Sequence, residues 1–450
     1  VANIPQAAVE IIHRLNKAGF QAVIAGGWVR DMLFGNESKD IDIATSATPD
    51  NVAKVFPDTK FVGKDFGVSL VKHLDMEFEV AMFRKDLGYT DGRHPNGVES
   101  CDIVTDAKRR DLTINALFYD VINSKVLDFV NGQTDINEKT ARFVGYPSDR
   151  IKEDHIRILR FLRFRNRFDL YADTLSLNAC FSNAGLLCNI AAERIGLEMN
   201  KILEQCSSAI FETMRLTNVM HSIFPELLDM YGCEQPPNYH PEGDVWIHTR
   251  MAFDEVKKLQ PSLELLWATL LHDIAKPKTQ AWDAVDKRYR FNSHESESAI
   301  MAKDILVRLK FSNCFQDKVF ELVSSHMKFA MVRRMRVAKL KRFVFQPYFD
   351  ELLKLHTADC LSSHKKLDHR DFCIEKLSEF KIEISIAVLP KPIVTGKTLI
   401  AKGFRPGPKF KDILEKCMDA QLEEEFTDLE GGTEYVLNNF REDSSNEGAS

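Results

Sequence analysis

The stretch Gly26-Gly27-Trp28-Val29-Arg30-Asp31, followed nine residues later by Asp40-Ile41-Asp42, constrains this chain more than any other. A residue without a Cβ lets the backbone approach a phosphate group that a side chain would hold away. Along a strand, residues two apart point the same way, so Asp40 and Asp42 converge on one side of a sheet. Two such carboxylates suit a divalent ion that already carries phosphate oxygens, above all Mg2+. A glycine turn ending in a basic residue, with paired carboxylates on the next strand, is what transfer of a nucleotide requires.

The elements around this stretch alternate. Residues 5–18 are amphipathic, residues 21–25, 40–44 and 77–83 read as strands, and residues 116–121 with 125–128 predict a hairpin around Asn123-Ser124. From about Lys152 strand signals almost vanish and helical periodicity takes over. A Pro-, Gly- and His-rich stretch at 236–243 and the Pro390-Lys391-Pro392 break divide the helical part, and the polar end, 442–450, is expected to fray. With 450 residues the chain is too long for one core. Its 44% hydrophobic and 28% charged residues are those of a soluble globular protein. A net charge of −6 argues against a protein that coats nucleic acid, although Arg157, Arg160, Arg163, Arg165 and Arg167 crowd one segment and a second basic run spans 328–342. The nine cysteines show no CxxC spacing and read as reduced thiols. No apolar run has the length of a membrane span and no signal peptide opens the chain. A cytoplasmic protein is expected, and an organellar form whose leader had been removed before Val1 would look the same.

Two-metal phosphoryl transfer needs a further carboxylate, and Glu79, an acid inside the apolar run 78–83, is the best candidate. In Arg109-Arg110-Asp111-Leu112-Thr113-Ile114-Asn115 the arginines can grip phosphates, while Asp111 and Asn115 can bond ribose hydroxyls. Farther on, Asp154, Arg157, Arg160 and Arg163 stand at spacings of three. On a helix these are neighbours, and Asp154 with Arg157 can present donors and acceptors to a base edge. Later still, His248, His272-Asp273 and Asp359, within helical sequence, stand in an H…HD…D order that resembles HD-domain phosphohydrolases; the resemblance implies His294 and His326 as two further ligands, and imidazole with carboxylate suits a first-row divalent ion.

The set GGWVRD, DID, EVAMFR, RRDLTINAL, EDHIR and Glu193-Arg194-Ile195-Gly196-Leu197-Glu198 resembles the bacterial-type (class II) tRNA nucleotidyltransferases, the family of CCA-adding enzymes and poly(A) polymerases. The resemblance covers roughly residues 20–200 and implies an α+β multidomain chain. A polymerase-beta-like nucleotidyltransferase head, a mixed sheet with helices, would occupy 1–150, an all-α neck 151–235, an HD-type helical body 236–389 and a tail in contact with tRNA 390–450. It further implies that Gly27 and Arg30 touch the triphosphate, that Asp40 and Asp42 bind Mg2+ with Glu79 completing the set, and that Arg110 supports the nucleotide. Asp154 and Arg157 would pair with the base of CTP or ATP, with Arg160 and Arg163 nearby, and residues 193–195 would brace that helix.

Within the family, Val62-Gly63-Lys64-Asp65-Phe66 carries an acid where poly(A) polymerases have adjacent basic residues. The long loop 85–108, with Tyr89-Thr90-Asp91-Gly92-Arg93-His94-Pro95, resembles enzymes that add the terminal A. Complete CCA addition and A-only addition both remain open. The residues around His248 and His272-Asp273 resemble the HD domain appended to some bacterial CCA-adding enzymes, where it confers phosphatase or 2′,3′-cyclic phosphodiesterase activity. A hydrolase with an RNA-binding head is therefore the reading from a different class. The basic run 328–342 is expected either to contact tRNA backbone or to form a solvated helix face.

Overall fold

The computed structural model describes residues 4–38, 40–62, 66–89, 96–384 and 389–440. The chain divides into two compact units, residues 1–232 with 304–312, and residues 233–303 with 313–450.

The first unit is built on strands β1 (Ala22–Ala25), β2 (Asp42–Thr45), β3 (Lys60–Phe61), β4 (Val68–His73) and β5 (Met76–Met82). Strands β6 (Arg84–Asp86) and β7 (Val98–Ser100) pair only with each other, and β8 (Phe118–Asp120) with β9 (Lys125–Leu127) completes the set. Seven strands form one sheet in the order β3-β4-β5-β2-β1-β8-β9, in which β2 and β5 run parallel and the other neighbours antiparallel. Strand β1 is buried throughout, as the centre of a covered sheet must be. The helix Gln6–Lys17 lays Ala7, Ala8, Ile11, Ile12 and Leu15 inward at helical spacing. The expected hairpin at residues 116–128 is present as β8 and β9. The strand expected over 40–44 begins only at Asp42.

Past the sheet, the unit is helical: Pro147–Glu153, Arg157–Arg167, Thr174–Asn183, Ala192–Gln205, Ala209–Leu216 and Val219–Ile223. A short parallel pair, Thr140–Ala141 with Tyr171–Ala172, ties these helices back to the segment that leaves the sheet. Gly132 sits where a Cβ would lie 2.3 Å from the Thr113 carbonyl oxygen, so this close packing admits no side chain.

The second unit packs the helices Val245–Lys257, Leu263–Leu271, Asn313–Ser325, Phe349–Ser362 and Asp368–Ile384. Its last part, Gly396–Ala401, Lys409–Leu422 and Leu429–Phe440, has a small core of Val394, Leu399, Ile413, Cys417, Phe426 and Val436.

Two expectations need correction. An antiparallel hairpin, Gln280–Asp283 with Arg288–Phe291, lies where strand signals had almost vanished. Its strands are only four residues long and carry few apolar positions, so their pattern does not stand out. The long loop 85–108 holds β6, β7 and a helix, Ile103–Lys108, capped by the Asp102 carboxylate; Thr90 to Pro95, like Gly63 to Asp65 and 442–450, lies outside the described residues. In the basic run 328–342, Lys328, Arg333, Arg334, Arg336 and Lys339 are exposed and form a solvated cationic face, while two members are drawn inward. Lys341 is buried and donates to the Leu422 carbonyl, Arg342 pairs with Asp419, and Arg333 stacks over Phe372. Among the described residues no helix is long and apolar enough to cross a membrane.

Candidate active site and metal centre

A cavity of about 800 Å³ opens in the first unit beside the end of β1. Gly26 follows β1 with φ +66 and a Cβ there would sit 3.1 Å from Arg110 Nη1, so glycine serves both the turn and the close approach of the arginine. Ile43 of β2 pairs with Val80 of β5, which places Asp42 and Glu79, one residue back on each strand, on the same face of the sheet. Asp40, Asp42 and Glu79 all line the cavity. Burial, and then the charges of Asp40 and Glu79, push the Asp42 carboxyl up to about 6 against the opposing pull of Arg110. Among the described residues no ion pair closes on any of the three. Oxygen donors crowded until one resists ionisation are a set suited to a hard divalent ion such as Mg2+.

Cations flank this cluster, each locked by a partner. The Arg30 guanidinium donates to Asp31 at 2.8 Å and to Asn115 Oδ1 at 2.7 Å, and lies over the rings of Phe164 and Phe168. Arg109 and Arg110 share the buried carboxylate of Asp106. Burial alone would raise the Asp111 carboxyl, but Arg160, at 2.7 Å, and Arg157 hold it well below the usual range. Asn115 in turn donates to Asp111.

The structure therefore brings Gly27, Arg30, Arg110, Asp111, Asn115, Asp154, Arg157 and Arg160 to one cavity with the three carboxylates. Arg163 does not line it. It is 4% exposed, bonded to Glu198 at 2.6 Å and to Gln205 at 2.9 Å, because its place on the helix Arg157–Arg167 faces the neighbouring helix. Asp154 and Arg157 are not paired with each other through their side chains: Asp154 accepts from Arg194, and Arg157 pairs with Glu153 and donates to the carbonyls of Arg150 and Arg109. Asp111 and Asn115 are similarly engaged with arginines. Sequence reasoning missed Arg194 and Lys201 as lining residues. Their signal was the spacing 194, 197, 198, 201, one face of the helix Ala192–Gln205.

The second unit contains an imidazole-rich cluster around the buried Asp273. Nε2 of His272 lies 3.2 Å from Asp273 Oδ2, and Nε2 of His294 and His326 lie 3.3 and 3.8 Å from Oδ1. Nε2 of His248 is 3.7 Å from Oδ2 of Asp273 and 3.0 Å from Oδ1 of Asp359. All six sequence-predicted ligands thus meet, brought in by the helices Val245–Lys257, Leu263–Leu271, His294–Arg308, Asn313–Ser325 and Phe349–Ser362 and the turns at their ends. Nε2 of His272 and His294 and both oxygens of Asp273 are buried without a hydrogen bond, although Lys276 forms an ion pair with Asp273 at 2.7 Å. Buried polar atoms left unbonded and aimed at one another fit a missing cation, and nitrogen-rich donors fit a first-row transition ion better than Mg2+. Burial lowers His326 to about 3, which keeps its ring neutral and its lone pair available. A cavity of about 630 Å³ opens from this cluster, lined by Tyr239, Lys276, Arg288, Phe291, His364 and Lys366 among others.

A mixed sheet carrying three clustered carboxylates under a glycine turn defines a nucleotidyltransferase head, and the second unit has the histidine–aspartate core of an HD domain. The Poly A polymerase head domain matches residues 22–142, the probable RNA and SrmB-binding site of polymerase A matches residues 172–230, and the HD domain matches residues 245–381. The CCA-adding enzyme of Bacillus pumilus is 43% identical over 208 residues, 45% of this chain and 51% of that protein, so the match spans about half the length of such a relative. The multifunctional CCA protein of Dechloromonas aromatica is 35% identical over 306 residues, 66% of this chain and 71% of that protein. Among solved structures, the Bacillus stearothermophilus CCA-adding enzyme in complex with CTP shares the fold with a TM-score of 0.73 at 22% identity, over 96% of each chain. The chain belongs to the bacterial-type tRNA nucleotidyltransferase family of CCA-adding enzymes and poly(A) polymerases, with an HD domain.

Proposed function

We propose that the first unit is a template-independent tRNA nucleotidyltransferase that adds C, C and A to tRNA 3′ ends from CTP and ATP and releases pyrophosphate. The observation that carries this is the convergence of Asp40, Asp42 and Glu79 with Arg30 and Arg110 on one cavity. Relatives named CCA-adding enzyme, and a related fold described in complex with CTP, support the substrate class. In this reading the RNA 3′-hydroxyl attacks the α-phosphorus in line, and the bond to the pyrophosphate oxygen breaks. Asp40, Asp42 and Glu79 would hold two Mg2+ ions, which supply charge neutralisation and a more acidic attacking hydroxyl. Arg30 and Arg110 bind the triphosphate, and their partners Asp31, Asn115 and Asp106 fix them before substrate arrives, so little reorganisation is left for the reaction. Asp154 and Arg157 would exchange their present partners, Arg194 and Glu153, for the edge of the incoming base. Arg160 keeps Asp111 charged beside them. The head, neck, body and tail would divide at 150, 235 and 389.

Three tRNAs, ending at the discriminator base, after one C and after CC, test this with Mg2+ and labelled CTP, ATP or both. Growth of all three to CCA is expected. Extension of the CC-ended tRNA alone, with ATP alone, would make the chain an A-adding enzyme, and no extension would refute the reading. A second activity, hydrolysis of a phosphate ester at the HD cluster, is favoured by the unbonded donor atoms of His272, Asp273 and His294 beside a basic cavity. His248, His272, Asp273, His294, His326 and Asp359 would hold a divalent transition ion there. Asp273→Ala should remove that activity and leave nucleotide addition intact.

A further inference from the structure

Four imidazoles surround Asp273, each with Nε2 turned inward, and the main chain sets that turn for three of them. Nδ1 of His272, His294 and His326 lies 2.8, 2.7 and 2.6 Å from the carbonyl oxygens of Thr269, Phe291 and Val323, each three residues earlier. A carbonyl can only accept, so each of these Nδ1 atoms carries the proton and each Nε2 keeps its lone pair for an ion.

His248 has no such carbonyl bond. Its Nδ1 lies 2.7 Å from Glu242 Oε1, and the same oxygen lies 2.9 Å from Nδ1 of His240. Ser362 Oγ is 3.4 Å from His248 Nδ1, but a hydroxyl can donate or accept and settles no tautomer. The Glu242 side chain is 4% exposed, and its other oxygen is buried without a hydrogen bond, so the two imidazoles are what hold it. The chain is shaped to seat it. Gly243 turns with φ +124, a region that favours glycine, and Asp244 then caps the helix Val245–Lys257 that carries His248.

We propose that Glu242 is the positioning residue of this centre, supplying by a side chain the tautomer that the main chain supplies to the other three histidines. By accepting from Nδ1 it leaves Nε2 of His248 free to bind the ion together with His272, Asp273 and Asp359. Through its second bond it anchors His240, which lines the cavity, to the same centre. The inference rests on the reading that the cluster holds a divalent ion.

The test uses the full chain, stripped with a chelator and titrated with Co2+, followed by visible absorption and by metal content at saturation. Wild type should bind Co2+. Glu242→Ala should bind about 10- to 100-fold more weakly, with unchanged stoichiometry. Glu242→Gln, nearly isosteric and able to accept from Nδ1, should recover most of the affinity, whereas Glu242→Leu, of similar volume but unable to accept, should weaken binding as alanine does and replaces it if the alanine form does not fold. Unchanged Co2+ affinity in the alanine or leucine variant would overturn the proposal while leaving the metal reading intact. Loss of one whole equivalent, with the rest bound as tightly as before, would make Glu242 a ligand and overturn it as well. No Co2+ binding by wild type would instead overturn the metal reading beneath it.

Discussion

The two sites that we read as cation sites assemble their donor atoms in opposite ways. In the head the donors are carboxylates at the edge of an open cavity, Asp40 and Glu79 are exposed, and the fixed cations Arg30, Arg110 and Arg160 surround them. In the HD unit the donors are four buried histidines and Asp273, and main-chain carbonyls set the tautomers of His272, His294 and His326. An oxygen site that is half solvent suits an ion that comes and goes with a triphosphate. A buried nitrogen site suits an ion that stays, because releasing it would leave several polar atoms unpaired. In that reading, metal residence is written in the donor atoms and their burial, not in the count of ligands.

The sharpest way to break this contrast is to remove one donor from each site. Asp42→Ala should lower CMP and AMP incorporation by about 10³-fold, the several kcal/mol a bound metal contributes, without changing the metal retained by the HD unit. His272→Ala should do the reverse, and loss of both properties in either variant would show that the sites are not independent. Next in size is an arginine that the sequence placed at the site and the structure places in a core. Arg163→Leu leaves the Glu198 carboxylate buried without its partner and should cost about 3 kcal/mol or more in denaturant unfolding. The ratio of CTP to ATP use should stay unchanged, and an altered ratio would return Arg163 to nucleotide recognition.

A smaller effect concerns pH. Asp42 is raised from 3.8 to about 6, so the folded state keeps its proton where the unfolded chain has lost it. As pH rises from about 4 through 6, stability from this group declines, and above 6 the carboxylate is free to take an ion. Mg2+ should therefore raise the melting temperature more at pH 7.5 than at pH 5, and equal shifts would show that Asp42 does not bind it. The smallest effect is expected from Gly26→Ala, a strained φ plus a contact with Arg110, at about 1 kcal/mol of stability and a several-fold rise in KM for the nucleotide. An unchanged KM would mean that the arginine moves aside freely.

Residues whose chemistry is local could be read directly. The glycine turn, the alternating acids Asp40 and Asp42, and the lone Glu79 in an apolar strand declare themselves by spacing, since the pleat and the φ/ψ map act over a few residues. The hairpin at β8 and β9 was legible for the same reason, whereas the six ligands of the HD cluster, spread along the chain, were legible only through their resemblance to HD domains. The partners of Arg163, Lys341 and Arg342 were not. Charge and spacing are the same for an arginine that lines a cavity and for one that meets Glu198 or Asp419, and only the packing of another helix decides between them. The partner of Asp154 also lay beyond local spacing, because Arg194 is 40 residues away along the chain. Nor does anything near Glu242 in sequence announce that it will share one oxygen between two imidazoles. By itself, then, the sequence determined the kinds of donor atoms this protein has and the local elements that carry them. The tertiary structure decided which donors are buried, which are already paired and which are left free for a ligand, since burial and pairing depend on contacts between segments far apart in the chain.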